Sequence, residues 1–409
     1  MTDASFADRI DFVCQLARRL HAYGTTAQRL EGAICAVSTR LQLVCDPWSN
    51  PTGLLLSFAD GRVGRDSNET TRVIRLQPGD IDLRKLCQAD DIAERVLRGD
   101  LGLAEGSRAL QALDVAPGQR GRWLMAFSFG LTSASVATLL HTGWAAIITA
   151  ACVGWLIGGL ALLGAGRPRL AEALDALSAM IATLVVLAVA HYWVPLAVQS
   201  VVMAALIVLL PGLSLTNAVS ELSSQHLVSG TARFAGAMAT LLKLTFGTVA
   251  GTQIAHLMGW VAVEPFPAVQ PVMLEWVALL MGSYAFAVLF RADRRDYLLV
   301  MASAWLGYLT TRYAGAALGS EAGVFIAGIV VGAVSNLYAR TFNRPGALVR
   351  VPGIILLVPG SVGFRSLNFA LERDVLLSLD TGFALIALLI SLVAGLLFGN
   401  LLIPARRNL

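Results

Sequence analysis

The chain is 409 residues long, 56% hydrophobic and only 14% charged, with a mean hydropathy of +0.67; soluble domains carry about 25% charged residues, which argues against an ordinary cytosolic enzyme. The net charge of +4, with no basic patch interleaved with aromatics, argues against a nucleic-acid partner. Of the 27 acidic and 31 basic residues, 16 of each precede position 123, so a soluble domain is expected over 1–122 and a membrane bundle after it.

From the amino terminus, Met1-Thr2-Asp3-Ala4-Ser5 lacks the basic and apolar regions of a cleaved leader, and the soluble domain is expected inside the cell. Ile10, Val13, Ala17 and Leu20 recur at helical spacing and predict a helix over 7–22. Gly24 ends it, and Thr25 or Thr26 can cap a second helix to about Leu41. Short β-like runs follow at 43–45, 54–58 and 72–76, punctuated by Asn50-Pro51-Thr52-Gly53 and Asp60-Gly61. Helices over 83–98 and 104–113 complete a small α/β unit, and Pro117 to Arg122 reads as a linker. The five cysteines, Cys14, Cys35, Cys45 and Cys87 in this domain and Cys152 beyond it, have no metal-ligand spacing, so reduced thiols and no metal are expected.

Ten apolar segments follow, at about 123–141, 143–164, 174–193, 196–211, 231–256, 271–290, 297–314, 322–338, 351–364 and 382–404. Most reach the roughly 17–25 residues that cross a bilayer. With the amino terminus inside, the inner loops hold Arg167, Arg169, Arg233, Arg291, Arg294, Arg295, Arg340, Arg344, Arg350, Arg406 and Arg407, and the outer loops only Arg312, Arg365 and Arg373. That asymmetry predicts ten spans with both termini cytoplasmic. His141, His191 and His256 then fall at outer helix ends beside Trp144, Tyr192-Trp193 and Trp260, as an interfacial belt or a proton-sensing cluster.

Segments four and nine share a feature. The fourth ends in Pro211-Gly212, followed by the polar stretch Ser214-Leu215-Thr216-Asn217-Ala218-Val219-Ser220-Glu221; the ninth contains Pro359-Gly360-Ser361, followed by Ser366-Leu367-Asn368. Each is too short to cross as one helix: Leu196 to Leu210 is 15 residues, about 22 Å at 1.5 Å per residue. Gly247-x-x-x-Gly251 in the fifth span also matches Gly395-x-x-x-Gly399 in the tenth. The pattern predicts a membrane all-α fold of two five-helix repeats, 123–256 and 271–404. Because five is odd, the second copy is expected inverted. Interrupted segments at matching positions of such repeats point to a transporter site near the midplane. Each new helix start offers free N–H groups and a positive dipole end to a carboxylate. Pro211, Gly212, Ser214, Thr216, Asn217, Pro359, Gly360 and Ser361 are therefore substrate-site candidates, with capping as the structural reading of the polar ones.

Lys243, one of two lysines, lies mid-segment, where burial costs on the order of 3 kcal/mol. It is expected to face inward with Glu221, Asp175 or a substrate carboxylate as partner. Glu221 can receive a substrate ammonium or carry a proton, and Asp175 and His226 are further proton-coupling candidates. Asn336 faces the cavity or ties helices together, and Gly328-x-x-x-Gly332 beside it reads as helix packing.

In order along the chain, Gly24-Thr25-Thr26-Ala27-Gln28-Arg29-Leu30-Glu31, Pro51-Thr52-Gly53, Pro211-Gly212-x-Ser214-x-Thr216-Asn217-Ala218, Ser229-Gly230-x-x-Arg233, Arg344-Pro345 and Val358-Pro359-Gly360-Ser361 resemble the bacterial threonine/serine exporter (ThrE) family, with both halves fused. The resemblance implies an inner-membrane exporter of threonine and serine driven by the proton motive force, without cofactor, whose partners are a small-molecule substrate, protons, the lipid bilayer and a possible second copy of the chain. Split members of the superfamily are associated with succinate, so a dicarboxylate is the alternative. A membrane-anchored hydrolase is a further alternative, but the soluble domain has one histidine, His21, and no G-x-S-x-G. Arg29 and Glu31 lie on different faces of their helix, as packing contacts or a ligand site.

Overall fold

The computed structural model describes residues 5–62, 69–115, 118–263 and 270–405. Met1 to Ala4, Pro117 of the expected linker, and Arg406 and Arg407 lie outside the described residues. The soluble domain comprises α1 (Phe6–Ala22), α2 (Ala27–Arg40), β1 (Leu43–Asn50), β2 (Gly53–Asp60), β3 (Thr70–Arg75), α3 (Leu83–Arg98) and α4 (Leu103–Ala112). Both ends of α3 are written in the sequence. The Asp82 carboxylate accepts from Lys85 N, and Gly99 takes the left-handed conformation at φ 87°.

The three strands form an antiparallel meander, with Leu43 opposite Asp60 and Leu54 opposite Ile74. Cys45, Leu54, Leu56, Phe58 and Ile74 face a core shared with Phe12, Leu16, Leu20, Leu30 and Ile34, while Val73 on the opposite face is exposed. β1 runs five residues past the expected end at Cys45, because Pro47 needs no ladder donor on an edge strand. The linker is shorter than expected, since Gln119 to Arg122 form the first turn of α5 (Gln119–Leu139).

The rest is helical: α6 (Trp144–Gly164), α7 (Pro168–Tyr192), α8 (Val198–Leu206), α9 (Gly212–Ser223), α10 (Leu227–Leu257), α11 (Val272–Leu289), α12 (Tyr297–Leu318), α13 (Ser320–Phe342), α14 (Ala347–Ile355), α15 (Gly360–Leu371) and α16 (Val375–Leu402). Among the described residues seven stretches are long and apolar enough to cross a membrane: α6, α7, α10, α11, α13, α16 and the interrupted stretch Ala347–Leu371. The expected first span, α5, is less apolar. Its Ser128, Thr132, Ser133, Ser135 and Thr138 hydroxyls donate to carbonyls one turn back, which satisfies them inside the helix.

The two halves repeat each other in detail. Each has a nine-residue helix, a break ending in Pro-Gly, a twelve-residue helix and a long helix. The second break falls mid-stretch, at 356–359, because α14 starts at Ala347, four residues before the expected 351. The long helix of each half packs on the third helix of that half through its glycines. A methyl on Gly247 would meet Ala176 O at 2.2 Å, and one on Gly395 would meet Phe325 O at 2.2 Å. On α13, Gly328 and Gly332 receive Gly395 and Gly399 in turn.

Candidate substrate cavity

Both breaks open into one cavity of about 640 Å³. Its walls include Pro211, Gly212, Ser214 and Asn217 from the first break, and Val358, Gly360 and Ser361 from the second. α9 and α15 both begin on its wall. Pro211 and Pro359 provide no side-chain cap, which leaves first-turn N–H groups without an intrahelical acceptor. The two starts touch: a methyl on Gly360 would lie 2.9 Å from Gly212 Cα, and one on Gly212 would lie 2.4 Å from Val358 Cγ1. Only glycine permits this approach. Two positive dipole ends are thereby aimed at one place, an arrangement that favours an anionic group between or beside them.

The cavity is also walled by the soluble domain, through Gly24, Gly79, Asp80 and Ile81. Gly79 fits only because it lacks a side chain, since a methyl there would meet His21 O at 2.0 Å. The docking is tight. Leu83 N donates to Phe290 O (3.0 Å), Arg84 N donates to Arg291 O (3.2 Å), and Asp82 pairs with Arg291 at 3.7 Å. Phe286, Phe290, Ala347 and Leu348 of the membrane bundle join the core of the soluble domain.

The predicted residues divide sharply by position. Pro211, Gly212, Ser214, Asn217, Gly360 and Ser361 line the cavity, and Pro359 caps α15 beside it. Thr216 is buried on α9, with no partner for its Oγ1 among the described residues. Glu221 is 1% exposed and fully occupied: it accepts from Ala27 N (3.0 Å), Ser229 Oγ (2.8 Å), and Arg233 Nε and Nη2 (both 3.1 Å). It thus clamps the start of α2 to the membrane bundle. His226 makes a parallel link, with Nε2 at 3.0 Å from Glu31 Oε2, while Glu31 Oε1 accepts from Ser49 N. Burial raises the Glu31 carboxyl above its ordinary pKa, against the Ser49 N–H and His226, which lower it. Lys243 does not reach the cavity; it lies half exposed, 3.9 Å from Asp175, and donates to Glu172 O. Asn336 ties α13 to α16, donating to Asn400 Oδ1 (2.8 Å) and Ile403 O (2.7 Å).

Several residues of the cavity are not singled out by the sequence. Arg233 and Arg291 line it, each tied to a carboxylate, and so does Tyr308. The Tyr308 hydroxyl donates to Glu275 Oε1 (2.6 Å), which is also paired with Arg312. The signal available for this group was Glu275 within an apolar run, a charge that demands a partner.

The fold and cavity are those of a multi-pass membrane protein whose helical bundle encloses a cavity between two interrupted stretches. Residues 11–255 match the ThrE family model, and residues 275–402 match a second model described as "Threonine/Serine exporter, ThrE". The chain belongs to the threonine/serine exporter family, a family of transporters and not of enzymes. It is 24% identical to an uncharacterized protein of Schizosaccharomyces pombe, over 92% of this chain and 46% of that one. It is likewise 24% identical to the pheromone-regulated membrane protein 10 of Debaryomyces hansenii, over 89% of this chain and 37% of that protein, and to that of Zygosaccharomyces rouxii over the same shares. The chain therefore spans half or less of the length of these relatives. No solved structure matches it.

Proposed function

We propose that this chain exports small amino acids of the threonine/serine class, driven by the proton motive force, by alternating access of two inverted five-helix repeats. The observation that carries the reading is the convergence of the two Pro-Gly starts on one cavity. The substrate carboxylate meets the N–H groups that open α9 and α15. The arginines on the wall are already paired, so the cavity suits a zwitterion better than a second free carboxylate. Tyr308, hydrogen-bonded to Glu275, is where a proton can pass between the cavity and a carboxylate.

The same contacts support an orientation. α9 runs from the cavity toward the soluble domain, which it meets at Glu221. In the other half the helix before the break, α14, meets the soluble domain, through Ala347 and Leu348. Opposite running sense is what an inverted copy requires. The broken pairs α8–α9 and α14–α15 each serve as one crossing, and with α5, α6, α7, α10, α11, α12, α13 and α16 they make ten. The soluble domain docks on the end that holds Arg233, Arg291, Arg344 and Arg350, and this arginine-rich end supports the reading of a cytoplasmic domain, with both termini cytoplasmic, on a bacterial inner membrane.

The test is reconstitution into liposomes, with flux of threonine, serine and succinate measured with and without a pH gradient. Gradient-dependent threonine and serine flux is expected, reduced by Glu275→Gln. Flux of succinate alone would replace the amino acid by the dicarboxylate, and absence of concentrative flux for all three would end the carrier reading.

A further inference from the structure

Beside the large cavity, and sharing Gly24, Ile81, Leu213 and Asn217 with it, lies a smaller cavity of about 40 Å³ between α2, α9 and α14. This is several times the about 10–15 Å³ that one water needs. Arg29 of α2 and Arg350 of α14 both line it. Among the described residues neither side chain has a hydrogen bond or an ion pair, and the charged neighbour that acts on Arg29 is Arg350 itself. Burial, and then that second cation, push Arg29 well below the usual guanidinium range. Two partly buried cations facing one space without a counter-charge are costly, because their desolvation is repaid by no Coulomb partner.

The remaining wall offers donors without acceptors. Tyr23 is only 6% exposed, lines the cavity, and its hydroxyl has no partner among the described residues. The Thr25 hydroxyl on the same wall is likewise buried and unpartnered. Thr26 caps α2 without a side-chain hydrogen bond, and the Asn217 amide completes the rim. Among the described residues no carboxylate lines this wall. Guanidinium forks, hydroxyls and a helix start are the donor set that oxyanions select.

We propose that this cavity is a binding site for a phosphate-type oxyanion, held between Arg29 and Arg350 and bridging the soluble domain to the membrane bundle. Because its two cations come from different regions of the chain, the bound anion strengthens their docking. The site is distinct from the central cavity in donor set and charge, and its test does not depend on transport.

The experiment is thermal unfolding of the full chain in uncharged detergent, with inorganic phosphate titrated against sodium chloride at equal ionic strength. A parallel arm adds phosphatidylglycerol in place of phosphate. Phosphate is expected to raise the melting temperature beyond chloride, and Arg29→Gln or Arg350→Gln is expected to abolish that shift. Without anion, each glutamine variant is expected to melt no lower than the parent, since one of two facing cations is gone. Arg350→Lys, which keeps the charge but loses the fork, is expected to retain a smaller shift. An arginine-dependent shift with phosphatidylglycerol alone would keep the site and identify its occupant as a lipid headgroup. A shift equal to that of chloride in both arms, an unchanged shift in both glutamine variants, or lower anion-free melting in both of them would overturn the proposal.

Discussion

Glu221→Gln is the substitution that separates the two roles open to this residue. The carboxylate is 1% exposed and accepts four hydrogen bonds, two of them from Arg233, whose side chain is 20% exposed. Glutamine keeps the shape but turns one acceptor into a donor, which then faces donors. Arg233 loses its charge partner. Breaking a buried pair on one side costs about 3–5 kcal/mol, and partial hydration of Arg233 places this case near the lower end, about 3 kcal/mol. The loss falls on the junction between α2 and α9, so opening of that junction should become about a hundredfold more frequent, at 1.4 kcal/mol per tenfold. Hydrogen exchange of the full chain in detergent, read at residues 24–31 and 221–230, measures this directly. Exchange within threefold of the parent would refute the clamp. If exchange stays unchanged while gradient-driven flux disappears, Glu221 carries the proton instead.

Three further outcomes are expected. Gly360→Ala must push apart the two helix starts, which leave only 2.9 Å between the added methyl and Gly212 Cα; overpacking of this kind costs about 1–3 kcal/mol, and liposome flux should fall more steeply than melting temperature. Gly395→Leu, whose Cβ would sit 2.2 Å from Phe325 O, separates α16 from α13; melting in detergent should drop, with Gly159→Leu, whose Cβ would meet nothing within 4 Å, as the silent control. Burial lowers the pKa of His21 in the folded chain, partly offset by the Gln77 carbonyl. The unfolded chain therefore takes up a proton that the folded chain refuses, so stability present above about pH 6.5 is lost as pH falls through that value. The drop in melting temperature from pH 7.5 to 5.5 should be smaller in His21→Gln; equal drops would remove His21 as the cause.

Local signals carried the soluble helices, and distant pairing explains the departures. The bounds of α3 follow from Asp82 and Gly99, both readable in sequence. β1 extends through Asp46-Pro47 only because β2 lies on one side of it, a fact of sheet order that no window contains. The breaks at Pro211-Gly212 and Pro359-Gly360 were legible as lost donors inside apolar runs, and with them Ser214, Asn217 and Ser361 of the cavity wall, whereas the rest of that wall comes from elements distant in sequence. Glu221 was read as a receiver of a substrate ammonium or a proton, and its contact with Ala27, which spans 194 positions, carried no local signal. Lys243 sits in an apolar run, one turn before Gly247 on the face of α10 that packs against α7, so it meets Asp175 and the Glu172 carbonyl of α7 at the edge of that seam and stays half exposed, away from the cavity. Arg29 was legible as a packing contact or a ligand residue, but its pairing across a cavity with Arg350, more than three hundred positions away, was not.

The clamp and the cavity lie on the same short helix, which constrains how the molecule can move. Gly212 opens α9 at the cavity, and Glu221, nine residues on, holds Ala27 of the soluble domain, a separation of about 13.5 Å along a helix. A twelve-residue helix has no internal hinge, and α9 contains no proline or glycine after Gly212. A tilt that widens the space between Gly212 and Gly360 therefore displaces Glu221 as well. Either the Ala27 and Arg233 hydrogen bonds break at each cycle, or the soluble domain travels with α9 as one body. α15 is tethered differently: its far half is joined to α16 by the reciprocal Ser366 and Ser378 hydrogen bonds. On the proposed alternating access, moving α9 apart from its neighbours works against the four Glu221 hydrogen bonds, one from Ala27 of the soluble domain and three from Ser229 and Arg233 of α10, while moving α15 works against two. On that reading the two ends are mechanically different, with the Glu221 cluster as the latch.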